Sequence, residues 1–201
     1  MRWDPQWETF YRQNEGNQYP NPHIVRFVAR NYYRTKPRSS VNILDIGCGA
    51  GANLWYLARE GFSGYGIDGS ITSIRRSEEK LKKDNLTADI IVGDFFSLPY
   101  DDYFFNAVID AASIQHNNPE SITKIVSEIY RVLNNNGKYF GLLIESDEEL
   151  SDNKFSTHYF NKNEIRSLFS KFNKISIDNI RYTEKNEEKM ISFLIVEATK
   201  C

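Results

Sequence analysis

Three glycines within five positions, set between an apolar run and a helical run, constrain this chain most. The stretch Val41 to Ala58 reads VNILDIGCGAGANLWYLA. It opens with Val41-Asn42-Ile43-Leu44, an apolar, β-branched run of the kind buried in parallel sheets. Asp45 stands at the strand's end. Gly47, Gly49 and Gly51 follow, and Leu54-Trp55-Tyr56-Leu57-Ala58 supplies a helix. Strand, glycine loop and helix make the first half of a nucleotide-binding βαβ unit. Glycine lets the backbone turn tightly and approach a ligand with no Cβ in the way. Free N–H groups at the helix start suit an electronegative ligand group.

Two cofactor classes use such a loop. Gly47-x-Gly49-x-x-Ala52 fits the dinucleotide pattern G-x-G-x-x-G/A. Asp45-x-Gly47-x-Gly49-x-Gly51 resembles motif I of the class I S-adenosylmethionine-dependent methyltransferases. The acid separates the two. A pyrophosphate is anionic, and an adjacent carboxylate repels it. The methionine end of S-adenosyl-L-methionine offers an ammonium group that a carboxylate attracts. The loop therefore favours the methyltransferase reading over a dinucleotide site and over a glycine turn with no ligand. The resemblance implies that Asp45, Gly47, Cys48, Gly49 and Gly51 border the cofactor.

Bulk properties narrow the class further. At 201 residues the chain is one domain, or one domain with a small appendage, and 40% hydrophobic residues suffice for a core. The net charge of −2 provides no basic field, so no nucleic-acid partner is expected. Of the two cysteines, Cys48 lies in the glycine loop and Cys201 at the terminus, a pattern with no disulfide framework and no metal site. The opening MRWDPQWETF lacks an apolar targeting core, and no run is long enough to span a bilayer. The chain reads as cytoplasmic, with no membrane partner. The sequence does not set its oligomeric state.

Further motifs follow in order. The second strand, Gly64 to Ile67, ends in Asp68 and Gly69. An acid about 20 residues past the glycines accepts hydrogen bonds from ribose hydroxyls in both cofactor classes. The plain alternative is a cap for the helix starting near Ser70. The third strand, Asp89 to Val92, runs into Gly93-Asp94-Phe95-Phe96-Ser97-Leu98-Pro99. This run again resembles the methyltransferase family. The resemblance implies that the Asp94 side chain meets the adenine amino group and the Phe95 N–H meets the ring; otherwise Asp94 is an exposed loop acid. The fourth strand is Phe105 to Asp110, with Asn106 where the family usually has Asp. In an open parallel sheet, ligands bind at the carboxyl ends of strands near the topological switch point. The loop Ala111 to His116 should therefore face the transferred methyl, and Asp110 just before it, like Gly69 after β2, is expected among the cofactor contacts. His116 is the first candidate for a general base, because imidazole titrates near neutrality. A helix-entry residue bonding to backbone is the plain alternative. His23, His158, Asp110 and Glu145 rank behind it.

The remaining segments complete the layout. Asp4-Pro5 opens a helix with Trp3, Trp7, Phe10 and Tyr11 at helical spacing, packed on the core or closing over ligand. Asn21-Pro22 opens another, reaching about Tyr33, and Asn118-Pro119 a third with Ile122, Ile125, Val126 and Ile129 on one stripe. Arg131-Val132-Leu133 with Gly137 beyond resembles the family's R-V-L-x-x-x-G turn, and Lys138 to Ile144 is a strand. Ser146 to Tyr159 is polar and irregular, a candidate substrate loop. Asn161-x-x-Glu164 is a capping box. Lys174 to Thr183 and Met190 to Ala198 pair as antiparallel neighbours. The expected fold is α/β, Rossmann-like and doubly wound: a mostly parallel seven-stranded sheet with a C-terminal antiparallel hairpin and helices on both faces. Residues 1–40 form an N-terminal helical segment and residues 41–201 the cofactor-binding domain.

The expected activity is methyl transfer from S-adenosyl-L-methionine to an oxygen or nitrogen of a small-molecule acceptor, with no metal. An NAD(P)-dependent reductase of Rossmann type is the runner-up. A short-chain reductase places Tyr-x-x-x-Lys after the fourth strand, whereas Tyr32 to Lys36 precedes the glycine loop. A non-catalytic partner subunit is a third reading. Asp110-Ala111-Ala112-Ser113 lacks the two prolines of the amino-methyltransferases that act on DNA bases.

Overall fold

The computed structural model describes residues 3–146, 155–183 and 190–201. Its seven-stranded sheet follows the order β3-β2-β1-β4-β5-β7-β6. β1 (Asn42–Ile46), β2 (Ser63–Asp68), β3 (Asp89–Val92), β4 (Phe105–Ala111) and β5 (Leu133–Glu145) are parallel. β6 (Lys174–Thr183) and β7 (Met190–Thr199) form a hairpin, and β7 runs antiparallel to β5. The chain winds outward from β1 to β3, then returns to lay β4 against the other side of β1. That reversal leaves a crevice at the carboxyl ends of β1 and β4.

Strand periodicity sorts the core. On one face, Ile43, Ala107, Ile109, Phe140 and Leu142 pack under α2 (Pro22–Tyr32), α3 (Ala52–Arg59) and Ile74 of α4 (Ile71–Lys83). On the other, Leu44, Ile46, Val108, Tyr139 and Leu143 pack under α5 (Pro119–Val132) and α6 (Lys162–Leu168). Full burial of each such side chain contributes about 1.5–3 kcal/mol. α1 (Gln6–Gln13) stands apart, with no buried residue. Among the described residues, no helix is long and apolar enough to cross a membrane.

Most local signals act as expected. Asn21 caps α2 through the His23 N–H, and Asn118 caps α5 through the Ser121 N–H. Asp4 Oδ1 accepts the Gln6 N–H at 2.9 Å, so it caps α1 although the helix proper begins one residue after Pro5. The capping box at Asn161 is half-formed. Its side chain accepts from the Asn163 and Glu164 N–H groups, but Glu164 turns to His158 Nε2 at 2.6 Å. β5 starts at Leu133, before the expected Lys138, because Leu133 pairs with Phe105 ahead of a register shift. Asn106 Oδ1 accepts the Asn42 N–H at 2.8 Å, tying β4 to the start of β1. Most of the candidate substrate loop, residues 147–154, and the segment 184–189 between β6 and β7 lie outside the described residues.

Candidate active site

The carboxyl ends of β1 to β4 open on a cavity of about 580 Å³. Gly47, Cys48 and Gly49 border it after β1, Asp68 and Gly69 after β2, and Asp94 and Phe95 after β3. Ala111, Ala112, Ser113, His116 and Asn117 border it after β4. An N-terminal boundary is added by Trp3, Asp4, Trp7, Phe10 and Tyr11, with Asn17 and Tyr19.

The glycine loop is held by β2 rather than standing open. The Gly47 and Cys48 N–H groups both donate to the Ile67 carbonyl, at 2.8 and 3.2 Å. The Gly49 N–H donates to Asp68 Oδ2 at 3.0 Å. These three donors are therefore not the free anion cradle that a glycine loop suggests. Asp68 Oδ1 accepts the Ser70 N–H at 2.8 Å, while α4 is capped by Ser70 itself. Two ionised carboxylate oxygens offer about four acceptor sites, so Asp68 keeps capacity for ribose hydroxyls while positioning the loop. Burial raises its pKa, and the Ser70 and Gly49 N–H groups oppose that shift. Asp94 Oδ1 accepts the Phe96 N–H at 3.0 Å beside the cavity. The Cys48 thiol is buried, and burial pushes its pKa well up, so it is a neutral wall residue.

Asp45 lies just behind the loop, fully buried. Its Oδ2 accepts Asn53 Nδ2 at 3.3 Å, and Oδ1 has no partner among the described residues. Burial pushes its pKa up to about 8, and the Asp110 and Asp68 charges add to the shift. Asn53 was not singled out from the sequence, yet it borders the cavity and its Oδ1 accepts the Asn21 N–H at 3.0 Å. The signal was its position in the first turn of the helix after the glycines.

Three expected contacts, Asp45, Asp110 and Gly51, do not border the cavity. Asp45 is buried behind the glycine loop. Alternation along β4 sends Asp110 to the α5 face, where it accepts the Ser113 N–H at 2.7 Å and the Tyr139 hydroxyl at 3.0 Å. It shapes the loop bearing Ala112, a non-glycine residue at φ +67, from below. Gly51 sits at φ +77, and a side chain there would strike Ser77 of α4, so this glycine serves helix packing.

His116 does border the cavity. Its Nδ1 lies 3.3 Å from the Ser156 carbonyl and 3.2 Å from Thr157 Oγ1. A carbonyl only accepts, so Nδ1 carries the hydrogen and Nε2 carries the lone pair. Burial lowers its pKa, which keeps the ring neutral. Trp7 meets this ring edge-on at 4.8 Å and stacks on Phe155 at 4.1 Å. The other candidates are engaged away from the cavity: His23 with Tyr182, His158 with Glu164, and Glu145 with Ser192.

α1 is fastened over the site by a residue that sequence reasoning missed. Glu8 accepts from Ser70 Oγ at 2.6 Å and from the Thr72 N–H at 3.2 Å and hydroxyl at 2.5 Å. These bonds hold its carboxyl near pKa 2, well below the usual range. The Trp3 ring lies against Gly69 and the Tyr11 hydroxyl against Gly49 so closely that a Cβ at either glycine would clash.

A family profile described as methyltransferase domain matches residues 43–137, from β1 into the start of β5. The chain is 29% identical over 127 residues to a ubiquinone biosynthesis O-methyltransferase of Pelagibacter ubique, covering 60% of this chain and 52% of that protein. It is 31% identical over 111 residues to norajmaline N-methyltransferase of Rauvolfia serpentina, covering 54% and 37%. The chain thus spans about half or less of the length of these relatives. A solved S-adenosylmethionine-dependent methyltransferase of Methanosarcina mazei superposes with a TM-score of 0.72 at 22% identity, over 90% of this chain and 98% of that one. The sheet order, the glycine loop at the centre of the crevice and the match from β1 into β5 agree: residues 43–137 match a methyltransferase domain, and the chain has the fold of the class I S-adenosylmethionine-dependent methyltransferases.

Proposed function

We propose that the cavity binds S-adenosylmethionine and that the chain directs its methyl group to an oxygen or nitrogen of a small-molecule acceptor. Asp45 Oδ1 carries this reading. Buried and with Oδ1 unpartnered, this carboxyl is held protonated at neutral pH, its pKa pushed up to about 8, and a cation close by would offset the cost of ionising it. Of the two cofactors that a glycine loop accepts, the dinucleotide brings an anionic pyrophosphate there. S-adenosylmethionine brings an ammonium group. The residues present fit it: Asp68 for the ribose hydroxyls, Asp94 and Phe95 for the adenine, and Gly47 to Gly49 beneath.

When bound, S-adenosylmethionine supplies an electrophilic methyl group on a positively charged sulfur. The protein's own contribution is positioning and the exclusion of water. Trp3, Trp7, Phe10 and Tyr11 cover the cavity, and His116 Nε2 takes up a proton where the acceptor atom is oxygen. The similarity to an O- and an N-methyltransferase supports both acceptor atoms. The reductase reading loses its tyrosine, because the Tyr32 hydroxyl donates to the Asn106 carbonyl at 2.8 Å beneath α2.

Calorimetry tests the proposal. S-adenosylmethionine and S-adenosylhomocysteine should both bind more tightly than NAD and NADP. NAD binding more tightly than both sulfur ligands overturns it.

A further inference from the structure

We infer that Asn53 positions Asp45 with its proton on Oδ1, and that seating the cofactor's ammonium group beside this carboxyl expels that proton to solvent. The inference rests on the S-adenosylmethionine reading above and adds a proton to its binding equilibrium.

The first observation is the buried Asn53 amide. Its Oδ1 accepts the Asn21 N–H at 3.0 Å, and a backbone N–H only donates. Asn21 itself is held in place: its side chain caps α2 through the His23 N–H, and Pro22 follows it. The amide orientation is therefore fixed, with Nδ2 toward Asp45. Nδ2 donates to Asp45 Oδ2 at 3.3 Å. A hydrogen on Oδ2 would point at that donor, so a protonated Asp45 carries its hydrogen on Oδ1.

The second is what surrounds Oδ1. Asp45 is fully buried, and Oδ1 has no hydrogen-bond partner among the described residues. An ionised oxygen placed there gives up its hydration with nothing in return, and a hydroxyl gives up far less. The titratable groups that face it are Asp110 of β4, Asp68 of β2, Cys48 of the glycine loop and Tyr11 of α1. The first two are buried acids, and burial keeps Cys48 and Tyr11 neutral. None of the four supplies a positive charge. Burial, with Asp110 and Asp68 adding to it, pushes the Asp45 pKa up to about 8, and the Asn53 N–H opposes the shift.

The third is where Asn53 stands. It borders the cavity, and Asp45 lies one hydrogen bond behind it. An ammonium brought to this wall is the positive charge that the acids lack. In the balanced step the ligand enters and stays as its ammonium form. The O–H bond at Asp45 Oδ1 breaks, its electron pair stays on oxygen, and the proton passes to the buffer. Ribose and adenine carry no cation, so the release belongs to the amino-acid end of the ligand.

The test titrates the full chain with S-adenosylhomocysteine by calorimetry in three buffers of different ionisation heat. The dependence of the observed heat on the buffer counts the protons released. The count should be at least about 0.7 per ligand at pH 7 and about 0.5 at pH 8. Methylthioadenosine, which lacks the amino-acid end, should release fewer than about 0.2 at pH 7, and Asp45→Asn should bring S-adenosylhomocysteine to the same low count. Asn53→Ala removes the donor to Oδ2 and holds the carboxyl neutral to higher pH, so its count at pH 8 should rise to about 0.8 or more. Equal heats in the three buffers overturn the inference while leaving the cofactor reading intact. So does release by methylthioadenosine, which would place the proton at Asp68, or release that survives Asp45→Asn. A count of about 0.5 at pH 8 in Asn53→Ala, with weaker binding, would make Asn53 merely structural and overturns its positioning role. Failure of S-adenosylhomocysteine itself to bind overturns the cofactor reading, and this inference with it.

Discussion

Glu8 holds Thr72 at two points, its backbone N–H at 3.2 Å and its hydroxyl at 2.5 Å, across 64 residues of sequence. The bond fastens α1 to the start of α4, immediately after the loop that carries Asp68. Ser70 links the two: its N–H donates to Asp68 and its hydroxyl to Glu8. The wall over the cavity and the loop proposed for the ribose are therefore one hydrogen-bonded unit.

Glu8→Ala should free α1 while the sheet stays folded, because α1 contributes no buried residue. Loss of these charge-assisted bonds weakens docking by about 1–3 kcal/mol. Limited proteolysis before Pro20 should speed up and methyl transfer should fall. The pH dependence has a definite sign. Glu8 has a depressed folded-state pKa of about 2, so its contribution is complete above its ordinary value of 4.5 and is lost as pH falls toward 2. Unchanged cleavage kinetics in the variant would show that α1 is held by its aromatic rings alone.

Removing residues 1–19 should leave cofactor affinity within several-fold and abolish transfer, since the glycine loop is anchored by Ile67 and Asp68 whereas Trp7 and Phe10 come from the deleted segment. Circular dichroism should show a folded chain. Turnover at the full rate would place the acceptor site wholly in the loops after β4 and β5.

Asp45 should oppose stability in exchange for binding. Its folded-state pKa is about 8 and that of Asp110 about 7, both raised by burial. A raised carboxyl favours the folded state below its ordinary value near 4, and that advantage is lost as pH rises toward 8. Thermal stability of the ligand-free protein should therefore fall between pH 5 and pH 9. Asp45→Asn should recover about 2–5 kcal/mol at pH 9 and weaken S-adenosylhomocysteine binding tenfold or more. A flat stability profile in both proteins would mean that Asp45 does not titrate in this range.

Asp68 and Asp110, both at strand ends, should respond differently. Asp68→Ala removes the acceptor for the Gly49 and Ser70 N–H groups as well as the proposed ribose contact. Cofactor affinity should drop by about 1.5–3 kcal/mol, and stability should drop too. Asp110→Ala strands the Tyr139 hydroxyl and the Ser113 N–H, costing about 2–4 kcal/mol of stability, with cofactor affinity within about threefold. Equal losses of affinity in the two variants would contradict the different faces assigned to them.

The sequence alone determined the order of strands and helices, the glycine loop after β1, and the placing of Asp45, Asp68 and Asp94 at strand ends. These depend on runs of neighbouring residues: an apolar strand, a turn only glycine allows, and a cap one residue before a proline. Alternation along a strand is also local, yet which face of β4 meets the cavity is not. It became visible only once Tyr139, 29 residues on, stood beside Asp110. Gly51 looked like a ligand contact until α4 was laid against α3, with Ser77 where a side chain would go. Asn53, Glu8 and Phe155 gained their places in the same way, through partners brought near by the winding of the sheet. Hydrogen-bond capacity is consumed by whichever group arrives, and arrivals from 30 to 60 residues away are set by packing, not by neighbours in the chain. The tertiary structure thus decided which acids keep a free oxygen, and which aromatic rings surround His116.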